Sequence, residues 1–251
     1  MEWYWILTII LGSLFVLFVL SWLFYNPFFK RFWDIVLSFL AIVVLSPLLL
    51  ILTIVGAIAM RGNPFFTQKR PGKKDKTGKE TIFKLIKFRT MSNKKDENGN
   101  FLPDGVRLNG YGKFLRSTSL DELPELFNII KGDMSLIGPR PQLIKDMVFM
   151  SSEQRRRHNV RPGLSGLAQV NGRNNITWEQ KFEYDLAYIK NISLFDDIVL
   201  IFKTLFKTFK RVDVVRDETS SDIDFGDWLL QHKKIDNHEY QETIKKANEY
   251  K

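Results

Sequence analysis

The sequence predicts an α/β domain, mostly helical with one small β-hairpin, held at a membrane as a monotopic unit by a re-entrant helix-break-helix and preceded by an additional N-terminal hydrophobic helix. Three observations lead there. Two long apolar runs precede Met60, Ser46-Pro47 interrupts the second of them, and ordinary globular spacing takes over afterwards. The 251 residues, 45% of them hydrophobic, supply enough apolar material for a core. The absence of cysteine excludes disulfide frameworks, Cys-ligated zinc and thiol nucleophiles.

The first run, Trp5 to Phe24, has the length one helix needs to cross hydrocarbon, and Trp3, Tyr4, Trp5, Trp22 and Tyr25 flank it as an aromatic belt. Glu2 and the lack of Lys or Arg before it argue against a cleaved signal peptide, so residues 1–27 read as a retained hydrophobic segment. The second run, Ile35 to Met60, lies between Lys30-Arg31, read as interface cations, and a basic cluster from Arg61 to Lys79. With cations at both ends, the positive-inside rule places both ends in the cytoplasm. Residues 28–61 are therefore expected to dip into one leaflet, turn at Ser46-Pro47 and return, with the Ser46 hydroxyl bonding a carbonyl freed by the proline.

Residues 62–212 read as the soluble domain and 213–251 as a polar C-terminal extension with one apolar patch around Phe225 to Leu230. Phe65–Thr67 and Thr81–Phe88 predict a hairpin joined by a basic turn. Gly72 to Gly78 encloses five residues and Lys79 precedes Glu80, so this turn is not a P-loop. Ile198 to Val212 interleaves Ile, Leu and Phe with four cations, a pattern shared by interfacial and core-facing helices. The formal charge of +9 suits anionic lipid head groups, and no aromatic-basic nucleic-acid module is present, so no nucleic-acid partner is expected.

Leu120, Leu123, Leu126, Phe127 and Ile130 recur at helical spacing, predicting a helix over 121–130 with Pro124 in its first turn. Two readings of Asp121 and Glu122 stand side by side. They are capping acids, or they are an ionised nucleophile held by the helix start and a Mg²⁺ ligand. Gly138-Pro139-Arg140-Pro141 is a stiff turn that presents a guanidinium, a natural bidentate phosphate ligand. Arg161-Pro162-Gly163 and Gln169-Val170-Asn171-Gly172-Arg173-Asn174 mix turn formers with amides suited to a base or sugar. Asp197 is either a first-turn acid or part of the acidic centre.

From Lys30 to about Val212 the chain resembles the bacterial sugar transferases, the small monotopic phosphoglycosyl transferases that begin glycan assembly on undecaprenyl phosphate. The resemblance rests on Lys30-Arg31-Phe32-Trp33-Asp34, Ser46-Pro47, Thr67-Gln68-Lys69-Arg70-Pro71-Gly72, Lys87-Phe88-Arg89-Thr90-Met91, Ser119-Leu120-Asp121-Glu122-Leu123-Pro124, Lys131-Gly132-Asp133-Met134-Ser135, Gly138-Pro139-Arg140-Pro141 and the Arg161 to Asn174 segment, in one order. It implies that Asp121 attacks the β-phosphate of a UDP-sugar, expels UMP and passes the phosphosugar to undecaprenyl phosphate.

The same resemblance implies that Glu122, with Asp121, is associated with Mg²⁺. Lys87, Arg140 and Asp197 fall at positions similar to other active-site groups, and Arg161, Gln169, Asn171 and Arg173 join them as substrate-binding candidates. It implies an enzyme at the bacterial inner membrane with its catalytic domain facing the cytoplasm; a homodimer is a possible assembly. Two rivals stand against it: a glycosyltransferase that releases UDP, and a non-enzymatic scaffold binding anionic lipid.

Overall fold

The computed structural model describes residues 2–25, 27–172, 176–210 and 223–250. The chain opens with two long helices, α1 (Glu2–Leu23) and α2 (Pro27–Met60), followed by the hairpin strands β1 (Phe65–Lys74) and β2 (Glu80–Phe88). Next come α3 (Asp104–Arg107), α4 (Gly110–Thr118), α5 (Glu125–Lys131), the short strand β3 (Ser135–Ile137) and α6 (Ile144–Met147). Strand β4 (Gly163–Ser165), α7 (Leu167–Asn171), α8 (Trp178–Lys190), α9 (Leu194–Lys210), α10 (Phe225–Gln231) and α11 (Asn237–Lys246) complete it. The domain is mostly helical, as expected, with β1 and β2 antiparallel and β3 and β4 in a second, parallel pair.

Both N-terminal helices are long and apolar enough to cross a membrane. Helical structure continues through Pro47, so α2 has no non-helical break where one was expected. The reason is local. Pro47 cannot donate to the Val43 carbonyl, and the Ser46 hydroxyl takes that place at 2.8 Å, the compensation expected from the sequence.

Straight, 34 residues would span about 51 Å, yet α2 touches the domain along its whole length. Near its start, Asp34 accepts from the Ser135 hydroxyl at 2.7 Å and the Leu136 N–H at 2.9 Å. Ala41 and Ile42 pack on Phe83, Leu85, Leu126 and Ile129. Farther on, Leu48, Leu49 and Leu52 pack with Phe88 and Leu115, Tyr111 donates to the Leu52 carbonyl at 2.8 Å, and Asn109 to that of Ala59 at 3.1 Å. The remaining face, including Phe39, Val43, Val44, Ile51, Ile54 and Ile58, is exposed and apolar.

Lys30 and Arg31 correct their reading as interface cations, because both turn into the protein. Lys30 pairs with Asp197 at 2.5 Å. Arg31 donates to the carbonyls of Ile129 and Ile130 at 2.6 and 2.8 Å, in the last turn of α5, where the Ile129 carbonyl also accepts from the Gly132 N–H.

The hairpin is longer than its apolar runs suggested, since Asp75 builds the turn by accepting from the backbone N–H groups of Thr77 and Lys79. The C-terminal segment is also more than a polar extension. Phe225 and Trp228 of α10 bury with Met150, Trp178 and Phe182, so this part of 213–251 completes the domain's core.

Candidate active site

Asp121 and Glu122 sit in a 3-10 turn, Leu120–Glu122, between α4 and α5. Ser119 ends α4 in the left-handed region at φ 56°, and Pro124 caps α5, which begins at Glu125. The continuous helix expected over 121–130 is thus divided, because Pro124 is accommodated at a helix boundary and not inside it. Rotation of α5 follows. Leu126 and Ile129 face the core while Phe127 is exposed, and Asn128 ties the helix to β2 through the Ile86 N–H at 3.0 Å and the Lys84 carbonyl at 2.8 Å.

Two cations from distant parts of the chain meet at Glu122. Lys87, at the end of β2, and Arg140, in the Gly-Pro-Arg-Pro turn, both donate to Glu122 Oε1 at 2.7 Å. Lys87 also lies 3.1 Å from Oε1 of Glu125, an ion-pair distance without hydrogen-bond geometry. The protonation pattern separates the three acids. Burial opposes ionisation of Glu122, yet Arg140 and Lys87 outweigh it and hold the carboxyl well below the usual range.

Asp121 moves the other way, raised by burial and by the Glu122 charge against the pull of Lys87 and Arg140. The surroundings thus oppose the Asp121 charge that a helix start would favour. Burial and Glu122 also push Glu125 up to about 7. Sequence reasoning missed Glu125, whose signal was an acid three residues beyond Glu122 within an apolar run.

Asp121, Glu122, Lys87 and Arg140 open onto a cleft of about 1100 Å³. Nine lysines and arginines against five acids line it, which favours an anionic ligand. Gln169 lines it too, and both ends of its amide are buried without a hydrogen-bond partner. Asp121, Glu122, Lys87, Arg140 and Gln169 therefore line one cleft.

Other candidates go elsewhere. Arg161 donates through Nε to the Gly132 carbonyl at 2.8 Å and supports the loop after α5. Its neighbour Gly163 is required by packing, since a Cβ there would lie 2.1 Å from the Gly138 nitrogen. Asn171 is exposed and bonds the Leu167 carbonyl of its own helix at 2.9 Å. Asp197 is buried between helices, where Oδ2 accepts from Tyr25 at 2.7 Å and Lys30 at 2.5 Å, and Oδ1 accepts from Tyr188 at 2.7 Å. It borders a separate apolar cavity of about 200 Å³ that also touches Phe18, Trp33 and Ile201. Arg173 lies outside the described residues.

Among the described residues no cluster of three or more acidic, His or Cys side chains forms a ready-made metal cage. Magnesium does not require one. It commonly takes one or two carboxylates and completes its shell with water and substrate phosphate, and the adjacent Asp121 and Glu122 carboxyls fit that donor set.

A protein of this construction, with a membrane-type helix packed along a small domain whose basic cleft holds paired acids, falls in a known class. The family described as bacterial sugar transferase matches residues 25–211, and the chain belongs to that family. It is 43% identical to the uncharacterized sugar transferase EpsL of Bacillus subtilis over 71% of this chain and 86% of that protein. It is 38% identical to the UDP-glucose:undecaprenyl-phosphate glucose-1-phosphate transferase of Klebsiella pneumoniae over 73% of this chain and 41% of that longer protein. With the UDP-N-acetylgalactosamine-undecaprenyl-phosphate N-acetylgalactosaminephosphotransferase of Aeromonas hydrophila it shares 39% identity over 71% of this chain and 43% of the other.

Proposed function

We propose that the protein transfers a sugar 1-phosphate from a UDP-sugar to undecaprenyl phosphate through a covalent intermediate on Asp121, the first membrane step in assembling a bacterial glycan. The observation that carries this reading is the convergence of Lys87 and Arg140 on Glu122 beside Asp121, in a basic cleft large enough for a nucleotide sugar. A carboxylate attacks phosphate poorly unless cations offset the approach of two anions. Lys87 and Arg140 supply that offset while Glu122 stores them in the absence of substrate.

In the first step an Asp121 oxygen bonds to the β-phosphorus of the donor. The bond from that phosphorus to the bridging oxygen breaks, and UMP leaves with the electron pair. In the second step an oxygen of undecaprenyl phosphate bonds to the same phosphorus and Asp121 leaves, giving a diphosphate-linked sugar. Asp121 and Glu122 would hold Mg²⁺, which supplies charge neutralisation at the diphosphate. Arg140 orients phosphate oxygens, and Gln169 offers an unpaired amide to an uncharged polar part of the donor.

The same proposal gives α2 a re-entrant course with the catalytic domain on the cytoplasmic side. Its two ends contact one and the same domain, which is hard to reconcile with a helix crossing the bilayer, whereas its outer apolar face suits burial in one leaflet. Helix α1 meets the rest of the protein in its last turns, through Phe18, Ser21, Trp22 and the adjoining Tyr25, leaving its earlier turns exposed to cross the bilayer.

Detergent-purified protein incubated with undecaprenyl phosphate, Mg²⁺ and a panel of UDP-sugars tests the proposal by the nucleotide released. UMP from one donor is expected and names the sugar. UDP would assign a glycosyltransferase instead, and no release from any donor would return the protein to the scaffold reading.

A further inference from the structure

The Gly-Pro-Arg-Pro turn is gripped by two arginines from different parts of the chain, Arg157 and Arg70. Arg157 and Asp185 form an ion pair at 2.6 Å, with side chains only 1% and 3% exposed. The same Arg157 Nη2 donates to the main-chain carbonyl of Arg140 at 2.6 Å. From β1, Arg70 donates through Nη1 to the next carbonyl, that of Pro141, at 3.2 Å, while its Nη2 is held by Gln68 Oε1 at 2.7 Å. Two guanidiniums thus fix two consecutive carbonyls.

Stability alone explains this poorly. A buried ion pair contributes little compared with well-packed apolar residues, and here the arrangement forgoes hydrogen bonds, because Nε and Nη1 of Arg157 and Nε of Arg70 are buried without partners. What the grips do provide is orientation. Pro139 and Pro141 fix their own φ angles, and Pro141 narrows the ψ of Arg140, yet the Arg140 and Pro141 carbonyls, and so their peptide planes, keep a range of directions within those limits. Anchoring the carbonyls of Arg140 and Pro141 sets those planes, and with them the direction in which the Arg140 guanidinium leaves the turn toward Glu122.

We propose that Arg157, braced by Asp185, and Arg70 are positioning residues that hold the Arg140 turn in the one orientation that presents its guanidinium to a phosphate in the cleft. The inference rests on the proposed role of Arg140 as a phosphate ligand. It predicts that disturbing either grip acts through Arg140 and through nothing else.

The test measures binding of inorganic pyrophosphate to the full-length protein in detergent by calorimetry. Arg157→Lys, Asp185→Asn and Arg70→Lys are each made in the natural background and in Arg140→Gln, with thermal unfolding to confirm folding. In the natural background each is expected to weaken pyrophosphate about tenfold, and in Arg140→Gln none is expected to weaken it further. Equal losses in both backgrounds, no loss in the first, or no pyrophosphate binding by the unmodified protein would each overturn the inference. Arg70 reaches the turn from a different element, β1, so the test survives a failure of the Arg157 variant to fold. UMP release is assayed separately: a protein that binds pyrophosphate through Arg140 but releases no UMP contradicts the proposed reaction and leaves the positioning result standing.

Discussion

Two buried acidic centres, about Glu122 and about Asp197, use similar parts for different ends. Each pairs a carboxylate with a lysine, Lys87 in one case and Lys30 in the other. At Asp197 both oxygens are engaged, by two tyrosines and the lysine, and the adjoining cavity is small and apolar. At Glu122 both cations fall on a single oxygen, two further acids with raised pKa stand beside it, and the cleft is wide and basic. A saturated buried ion pair joins elements together, whereas an unbalanced one beside an open cleft is equipped to meet a charged ligand. Sequence resemblance placed Asp197 with the active site; its geometry makes it a clasp that ties Tyr25, the start of α2 and α8 to α9.

The largest effect expected from this contrast is at Asp121. Asp121→Asn retains the shape and removes the nucleophile, so UMP release should fall by on the order of 10³-fold or more while thermal unfolding changes little. Next comes Arg140→Lys, which keeps the charge but loses the planar fork; a fall of roughly 10- to 100-fold in kcat/KM for the UDP-sugar is expected in steady-state assays.

Asp197→Asn should show the reverse pattern. It leaves Lys30 buried without its counter-charge and should cost on the order of 3 kcal/mol of stability, seen as a lower Tm, with kcat of the folded enzyme within about threefold of the natural protein. A large loss of kcat at unchanged Tm would instead return Asp197 to the active site and erase the distinction.

The smallest and most specific effect concerns pH. Glu125 has a folded-state pKa of about 7, above its ordinary value of 4.5. For an acid raised in this way the folded state binds the proton more tightly than the unfolded state. The favourable contribution is therefore present below about 4.5 and is lost as pH rises through about 7. Tm measured from pH 5 to 8 should decline more steeply for the natural protein than for Glu125→Gln, which stays uncharged. Parallel curves would remove Glu125 from the electrostatics of the centre.

Much of the fold, though not this contrast, was legible in the residues before the structure. Local devices were read well: the two apolar runs, the Ser46 hydroxyl bonding the carbonyl that Pro47 cannot use, and the hairpin. The division of the predicted 121–130 helix was missed because apolar spacing continued across Pro124 while backbone sterics did not permit one helix there. Charge pairs were the least legible. Arg157–Asp185, Arg70 on Pro141 and Lys30–Asp197 join positions 28 to 167 residues apart, and no local period marks such partners. The Phe225–Leu230 patch was visible, but its burial depended on Trp178 and Phe182 of α8, which sequence spacing could not bring to it.

The central claim is that Asp121 carries the phosphosugar between donor and acceptor. Its most direct test is the intact mass of the protein after incubation with its UDP-sugar and Mg²⁺ in the absence of undecaprenyl phosphate. The account predicts a gain of one sugar phosphate, mapped to Asp121, absent from Asp121→Asn and discharged when undecaprenyl phosphate is added. Turnover with UMP release but no adduct, on a protein whose Asp121→Asn variant remains active, would contradict it.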